Sequence, residues 1–401
     1  MVRLSSDQSF HYEMLRVLAG ATYQASDVSE VLNAADCVIP GDIESFSSAF
    51  LNLASRTHSI AEGINHKKYP VSARNARFRE ATYYRAADFY LHGKWNDARV
   101  TELWEKHRNA FDKAIELLPQ PAERVELQAD GFTVPAIFYG CGQSGPRPTI
   151  LMCNGYDGAQ EEMYHAAAEG ALQRGINVIT FEGPGQPTVR REQNLGFILE
   201  WEKVVTPVMD YALSREDVDR NAVALMGYSF GGFLTPRAAA FEHRLAAVIS
   251  IGGVFNFGKV ILGHIGPEME ALWRADKKDA LDEAVKNQVL NPETPTTVRW
   301  GIEQGLWSFN LESPTEWVTQ TLKYDLDAVV DKIQCPVFVG DGESEHFFPG
   351  EAKQLASRLG EKATYHIFKN QDGAGEHCQV GASQLMNQVV FDWFHQLMEK
   401  K

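Results

Sequence analysis

Five consecutive residues carry the first sign of chemistry. Gly227-Tyr228-Ser229-Phe230-Gly231 fits Gly-x-Ser-x-Gly, in which a tight turn lifts a serine hydroxyl out of the backbone as a nucleophile. As a bare pattern it is weak, because two glycines around a serine recur by chance. Its neighbours strengthen it: residues 222–226 read as a buried strand and residues 232–240 open a helix. That strand–turn–helix holds the serine in a strained conformation, and the helix N-terminus points free N–H groups at developing negative charge. Pro236 lies early in this helix and removes one backbone donor.

A serine nucleophile needs a base, and the base needs an acid to orient it. With the chain order serine, acid, histidine, the base belongs on the loop after the last strand. Residues 364–368 read as that strand, so His377, in the loop 370–377, is the expected base. His366, within the strand, and His395, in the C-terminal helix, read as packed or solvated side chains. The acid belongs in 340–346, just beyond a strand at 337–339. Position in the loop, counted from Gly342, favours Glu345; Asp341, at the end of the strand, is the rival. Two backbone N–H groups are expected to hold the oxyanion, those of Phe230 and of Tyr156 in Asn154-Gly155-Tyr156-Asp157-Gly158. Asp157 and Gln160 read as a capping box for the helix that follows.

The elements that must position these residues change character near Pro119. Before it, apolar residues recur at helical spacing, most clearly Val100, Leu103, Trp104, His107, Phe111, Ala114, Ile115 and Leu118. Stretches 43–64 and 73–91 are helical too, so residues 1–120 form an all-helical N-terminal domain. Beyond it, segments 125–128 and 132–139 flank Asp130-Gly131, a hairpin signal. Short apolar bursts follow at 149–153, 178–181, 222–226, 246–251, 337–339 and 364–368, separated by helical segments. This alternation predicts a mostly parallel eight-stranded sheet covered on both faces, the α/β-hydrolase fold, over 121–401. From about 255 to 326 the alternation gives way to helices rich in tryptophan, a lid insertion. Tyr83, Tyr84, Trp307 and Phe309 are candidates for an aromatic pocket, although an aromatic stripe is more often plain core.

Composition limits the alternatives. A net charge of −15 leaves no basic surplus for nucleic acid. Five scattered cysteines, with no Cys-x-x-Cys, point to reduced thiols in place of a disulfide framework or a zinc site. Charged residues interrupt the first 18 positions, and no apolar run approaches the roughly 20 residues of a membrane span. A cytoplasmic protein with no membrane partner is expected. Glu182-Gly183-Pro184-Gly185 lacks the Gly-x-Gly-x-x-Gly of dinucleotide sites, there is no phosphate-binding loop, and no cofactor or metal is called for.

Several strings go further. Residues 79–89, Asn154-Gly155-Tyr156-Asp157-Gly158 with Glu161 and Glu162, Glu182-Gly183-Pro184-Gly185-Gln186, residues 227–232, and Gly375-Glu376-His377-Cys378-Gln379 stand in one order. Together they resemble the fungal polyketide-shortening hydrolases of melanin pigment synthesis (the yellowish-green type), with likeness to 2,6-dihydroxypseudooxynicotine hydrolase and FrsA-like esterases. The resemblance covers about residues 70–400. It implies a helical domain over an α/β-hydrolase core, a Ser-Asp-His triad, and cleavage of a carbon–carbon bond beside a ketone in a polyketide-like or aromatic substrate. Carried over by position, the triad is Ser229, Glu345 and His377; glutamate stands where the family usually has aspartate.

Two other readings share these residues. An esterase, thioesterase or acyltransferase uses the same triad with a different leaving group. A hydrolase-fold receptor binds a small molecule without turning it over. In each the partner is a small molecule, and the helical N-terminal region offers surface for a homodimer.

Overall fold

Acidic residues start three of the N-terminal helices. In the computed structural model, which describes residues 2–400, Asp7 accepts from the Phe10 N–H at 2.9 Å at the head of α1 (Gln8–Ala19). After α2 (Val28–Ala35), Asp42 caps α3 (Ile43–Glu62) in the same way. α4 (Pro70–Asp88) begins on a proline, where a missing N–H costs nothing. Asp97 caps α5 (Ala98–Ile115), and each such cap is worth about 1 kcal/mol. α4 packs between α3 and α5 and is buried along most of its length. Its charges tolerate burial because they are paired: Arg77 with Glu62 and Glu80, Arg85 with Glu13, Asp88 with Arg191.

The eight strands are β1 (Glu123–Gln128), β2 (Thr133–Tyr139), β3 (Arg147–Cys153), β4 (Asn177–Phe181), β5 (Val218–Tyr228), β6 (Ala247–Ile251), β7 (Val337–Gly342) and β8 (Ala363–Phe368). They form one sheet in the order β1-β2-β4-β3-β5-β6-β7-β8. β2 pairs antiparallel with both β1 and β4, and every other pairing is parallel. The β1–β2 hairpin turns at Gly131, whose φ of +87° suits a residue without a Cβ.

Helices cover both faces, which is why the central strands read as unbroken apolar runs. They are α6 (Gln160–Met163), α7 (Glu169–Leu172), α8 (Pro187–Gln193), α9 (Glu202–Ser214) and α10 (Gly231–Ala239). Between β6 and β7 come α11 (Phe257–Ile265), α12 (Pro267–Arg274), α13 (Lys278–Leu290), α14 (Thr296–Phe309) and α15 (Pro314–Thr321). α16 (Glu351–Leu359) and α17 (Ser383–Glu399) complete the chain. Alternate residues of each strand feed separate cores. Leu151, Val223, Leu225 and Val248 pack with α9, α10 and the β6–β7 helices, whereas Ile150, Met152, Ala224 and Ile249 pack with α17 and part of α5. A third core lies among the N-terminal helices. Among the described residues, no helix is long and apolar enough to cross a membrane.

Candidate active site

β5 ends at Tyr228, and the next residue turns the chain into α10 with φ +57° at Ser229. A left-handed serine costs of order 1–3 kcal/mol and persists only where its surroundings enforce it. Here the Ser229 N–H donates to the Ile251 carbonyl at 2.8 Å, and its own carbonyl accepts from Gly232 at 2.7 Å. The flanking glycines are required by space. A Cβ on Gly227 would lie 2.2 Å from the Gly231 oxygen, and one on Gly231 would lie 2.9 Å from the Asn154 oxygen. Pro236 proves compatible with α10: the Gly232 carbonyl, left without its helical donor, accepts from the Ser250 hydroxyl at 2.8 Å.

Loops from three other strand ends close on this serine. His377, beyond β8, places Nε2 at 2.9 Å from Ser229 Oγ. Its Nδ1 lies 2.5 Å from Glu345 Oε2, beyond β7. The other oxygen of Glu345 accepts from the Phe347 and Phe348 N–H groups at 2.8 and 3.1 Å, which fixes the carboxylate. Asp341 points elsewhere and accepts from the Tyr365 hydroxyl at 2.6 Å. Burial raises the pKa of Asp341. Burial also works against charge on Glu345, but the adjacent imidazole outweighs it and holds that carboxyl below the usual range. On His377, burial is outweighed by the Cys378 sulfur and Glu345, so its pKa stands well above the ordinary imidazole value. His366 stacks on Phe338, and His395 lies against the Arg174 carbonyl; neither joins the serine.

The loop after β3 comes very close to the elbow. A Cβ on Gly155 would lie 2.7 Å from the Phe230 nitrogen, so only glycine lets this loop pass. Among the described residues, neither the Phe230 nor the Tyr156 N–H is taken up by a protein acceptor. The loop is braced by residues without a catalytic signature. Gln186 donates to the Asn154 carbonyl at 2.6 Å, and Gln304, from α14, donates to the Tyr156 carbonyl at 2.9 Å. The Tyr156 hydroxyl donates to the Gly301 carbonyl at 3.0 Å. The expected capping box is not formed. Glu182 takes the Gln160 N–H at 2.9 Å, and Asp157 instead pairs with Arg16 of α1 at 2.6 Å, a long-range charge outcompeting a local cap.

These groups open onto an enclosed, largely apolar cavity of about 260 Å³ between the N-terminal helices, the β6–β7 helices and the sheet. Tyr12, Phe89, Tyr90, Trp300, Trp317 and Phe347 supply its aromatic surface. Of the four aromatics expected there, Tyr83 and Tyr84 lie in the N-terminal core, Phe309 lies in the main core, and Trp307 stacks on His92 at 4.1 Å. The Tyr12 hydroxyl donates to the His377 carbonyl at 3.1 Å, bringing α1 to His377. One flank of the cavity carries a partly buried ionic cluster. Arg16 contacts Glu13, Asp157 and Glu162, while Arg85 contacts Glu13 and lies 3.5 Å from Glu162. Against the effect of burial, the two arginines hold Glu162 at about 2. Tyr12, Arg16, Gln186 and Gln304 were not singled out by sequence pattern. Only Gln186 lay in a quoted string, Glu182-Gly183-Pro184-Gly185-Gln186.

Comparison with known proteins fits this geometry. The model of the family described as FrsA-like esterase matches residues 61–261, half of the chain. Among curated relatives, hydrolase acrC of Aspergillus aculeatus is 29% identical across 100% of this chain and 99% of its own length. The 20-hydroxy-prefusarin hydrolase FUS2 of Gibberella moniliformis is 29% identical across 98% of this chain and 97% of its own. Among solved structures, 2,6-dihydroxy-pseudo-oxynicotine hydrolase superposes with a TM-score of 0.73 at 23% identity, covering 96% of this chain and 95% of that one. The structure of AbyA5 gives 0.63 at 16% identity, over 92% and 94%. The fold shared with these structures is that of the α/β hydrolases.

Proposed function

The chain belongs to the FrsA-like esterase family, and from that premise we propose that it is a serine hydrolase that cleaves a carbon–carbon bond beside a ketone in a polyketide-like or aromatic substrate of secondary metabolism. The observation that carries the catalytic part is the connected array of Ser229 Oγ, His377 and Glu345, at 2.9 and 2.5 Å, in the wall of an enclosed cavity. In this reading His377 Nε2 takes the serine proton as Oγ attacks the carbonyl carbon. The N–H groups of Phe230 and Tyr156 hold the oxyanion. Collapse expels the carbon fragment as an enolate or phenolate, which takes the proton from His377. Water then attacks the acyl-enzyme, giving its proton to His377, and release of the acid returns a proton to Ser229. Glu345 keeps Nδ1 protonated and stabilises the imidazolium.

The carbon–carbon part rests on the resemblance of the quoted strings to the polyketide-shortening hydrolases, and the aromatic cavity supports it. The esterase reading has its own support in the description of the family. Mass spectrometry of products from a β-diketone polyketide and from aryl esters separates the two. Release of a shortened ketone with a carboxylic acid is the expected result, and turnover of esters alone would favour the second. Fluorophosphonate labelling that disappears in Ser229→Ala tests the nucleophile; a wild type that does not label would point to a receptor.

A further inference from the structure

The helix α14, which lies outside the catalytic core, grips the residue to which an oxyanion donor is assigned. Two of its residues, one turn apart, engage Tyr156: the Gly301 carbonyl accepts its hydroxyl at 3.0 Å, and Gln304 donates to its carbonyl at 2.9 Å. Gly305 makes the approach possible, since a Cβ there would lie 2.0 Å from the Tyr156 hydroxyl. Gln304 is itself fixed from the far side. Because its amide nitrogen is committed to Tyr156, its oxygen must accept, and His92 Nδ1 supplies the proton across 2.6 Å. His92 stacks on Trp307, and its Nε2 lies 2.9 Å from Arg191, which Asp88 binds in turn at 2.6 Å. Asp88, His92, Tyr156, Gln304 and Trp307 are buried, so water competes little for the bonds among them.

We propose that Gln304, anchored through His92 to the N-terminal domain, is a positioning residue that orients the Tyr156 backbone as an oxyanion donor. The proposal rests on the reading of Tyr156 as that donor. The oxyanion hole is then completed by the β6–β7 helices and the N-terminal domain together. A residue acting in this way affects the transition state more than the bound ground state.

The test is Gln304→Met, which keeps the length of the side chain and removes the donor. Outright loss of an oxyanion donor costs about 10²–10³-fold in kcat, and a donor retained but no longer oriented is expected to cost roughly tenfold. On an aryl ester, kcat should fall by that factor with KM within about twofold, and a trifluoromethyl ketone should bind more weakly by the same factor. A folded variant with unchanged kcat, or one in which KM alone rises, would overturn the proposal. If Gln304→Met loses its thermal transition, His92→Phe decides: it keeps the stack on Trp307, removes the anchor of Gln304 and should show the same kcat-selective loss, and wild-type kinetics there would refute the proposal. The underlying reading is judged separately. A wild type whose Ser229 does not label would remove both, whereas a labelled wild type with an unaffected Gln304→Met removes this inference alone.

Discussion

Asp341 lies near the end of β7 and Glu345 four positions on, in the loop beyond it, yet Glu345 reaches the imidazole while Asp341 is held by Tyr365. Glu345→Gln is therefore expected to lower kcat by about 10²–10⁴-fold, while Asp341→Asn stays within a few-fold of wild type; steady-state kinetics on one ester distinguishes them. The same pair fixes a pH response. In the proposed mechanism the base works only when neutral, and against the pull of burial the Cys378 sulfur and Glu345 raise His377 above its ordinary value. The acid limb of kcat/KM should thus lie above pH 6.5, the usual imidazole value, and move to lower pH in Glu345→Gln; a limb that stays in place contradicts the assignment. At this scale the sequence was readable wherever a residue's place depends on its distance from a strand end, as for Ser229 and His377. It left Glu345 and Asp341 open because spacing does not say which way a carboxylate turns. Tyr12, Arg16 and Gln304 were illegible for another reason: their partners lie 365, 141 and 148 positions away.

Elements were easier to read than the bonds that reconcile them. All eight strands could be read, because burial on both faces makes each a short apolar run between turn residues. The proline inside α10 could be seen but not explained, since its remedy lies on β6. With Pro236 in place, the Gly232 carbonyl depends on the Ser250 hydroxyl. Ser250→Ala should cost about 1–3 kcal/mol, the price of a buried carbonyl without a donor. Pro236→Ala, which restores a helical N–H, should return part of that loss in the double variant. Denaturant unfolding of the two single variants and the double measures it, and additive effects would show that the bonds are independent. The β6–β7 helices, by contrast, were legible only as an interruption of the pattern. That one of them reaches back to the loop after β3 follows from packing, which no periodicity encodes.

Across the molecule, the partly buried cluster of Glu13, Arg16, Arg85, Asp157 and Glu162 joins α1 and α4 to the loop after β3 and to α6. Removing one member leaves its partners charged and dry, so Arg85→Met should destabilise the protein by about 3–5 kcal/mol, read from urea unfolding. Acid should weaken the same junction. Glu162 is held at about 2, below its unfolded value near 4.5, so its contribution is complete above about pH 5 and is lost as the pH falls toward 2. An Arg85→Met variant with wild-type stability would mean that the arginine is dispensable there.

The bond from the Tyr12 hydroxyl to the His377 carbonyl also constrains the order of events during synthesis. Tyr12 of α1 leaves the ribosome 365 positions ahead of His377 in the loop it must meet. Closing so long a stretch of chain is slow. The strands and their covering helices can therefore form well before Ser229 and His377 are fixed beside each other. In a refolding experiment, helical signal and compactness should return early, and turnover should follow only with the slowest phase. For this chain, regained activity is a stricter measure of a finished fold than any spectrum.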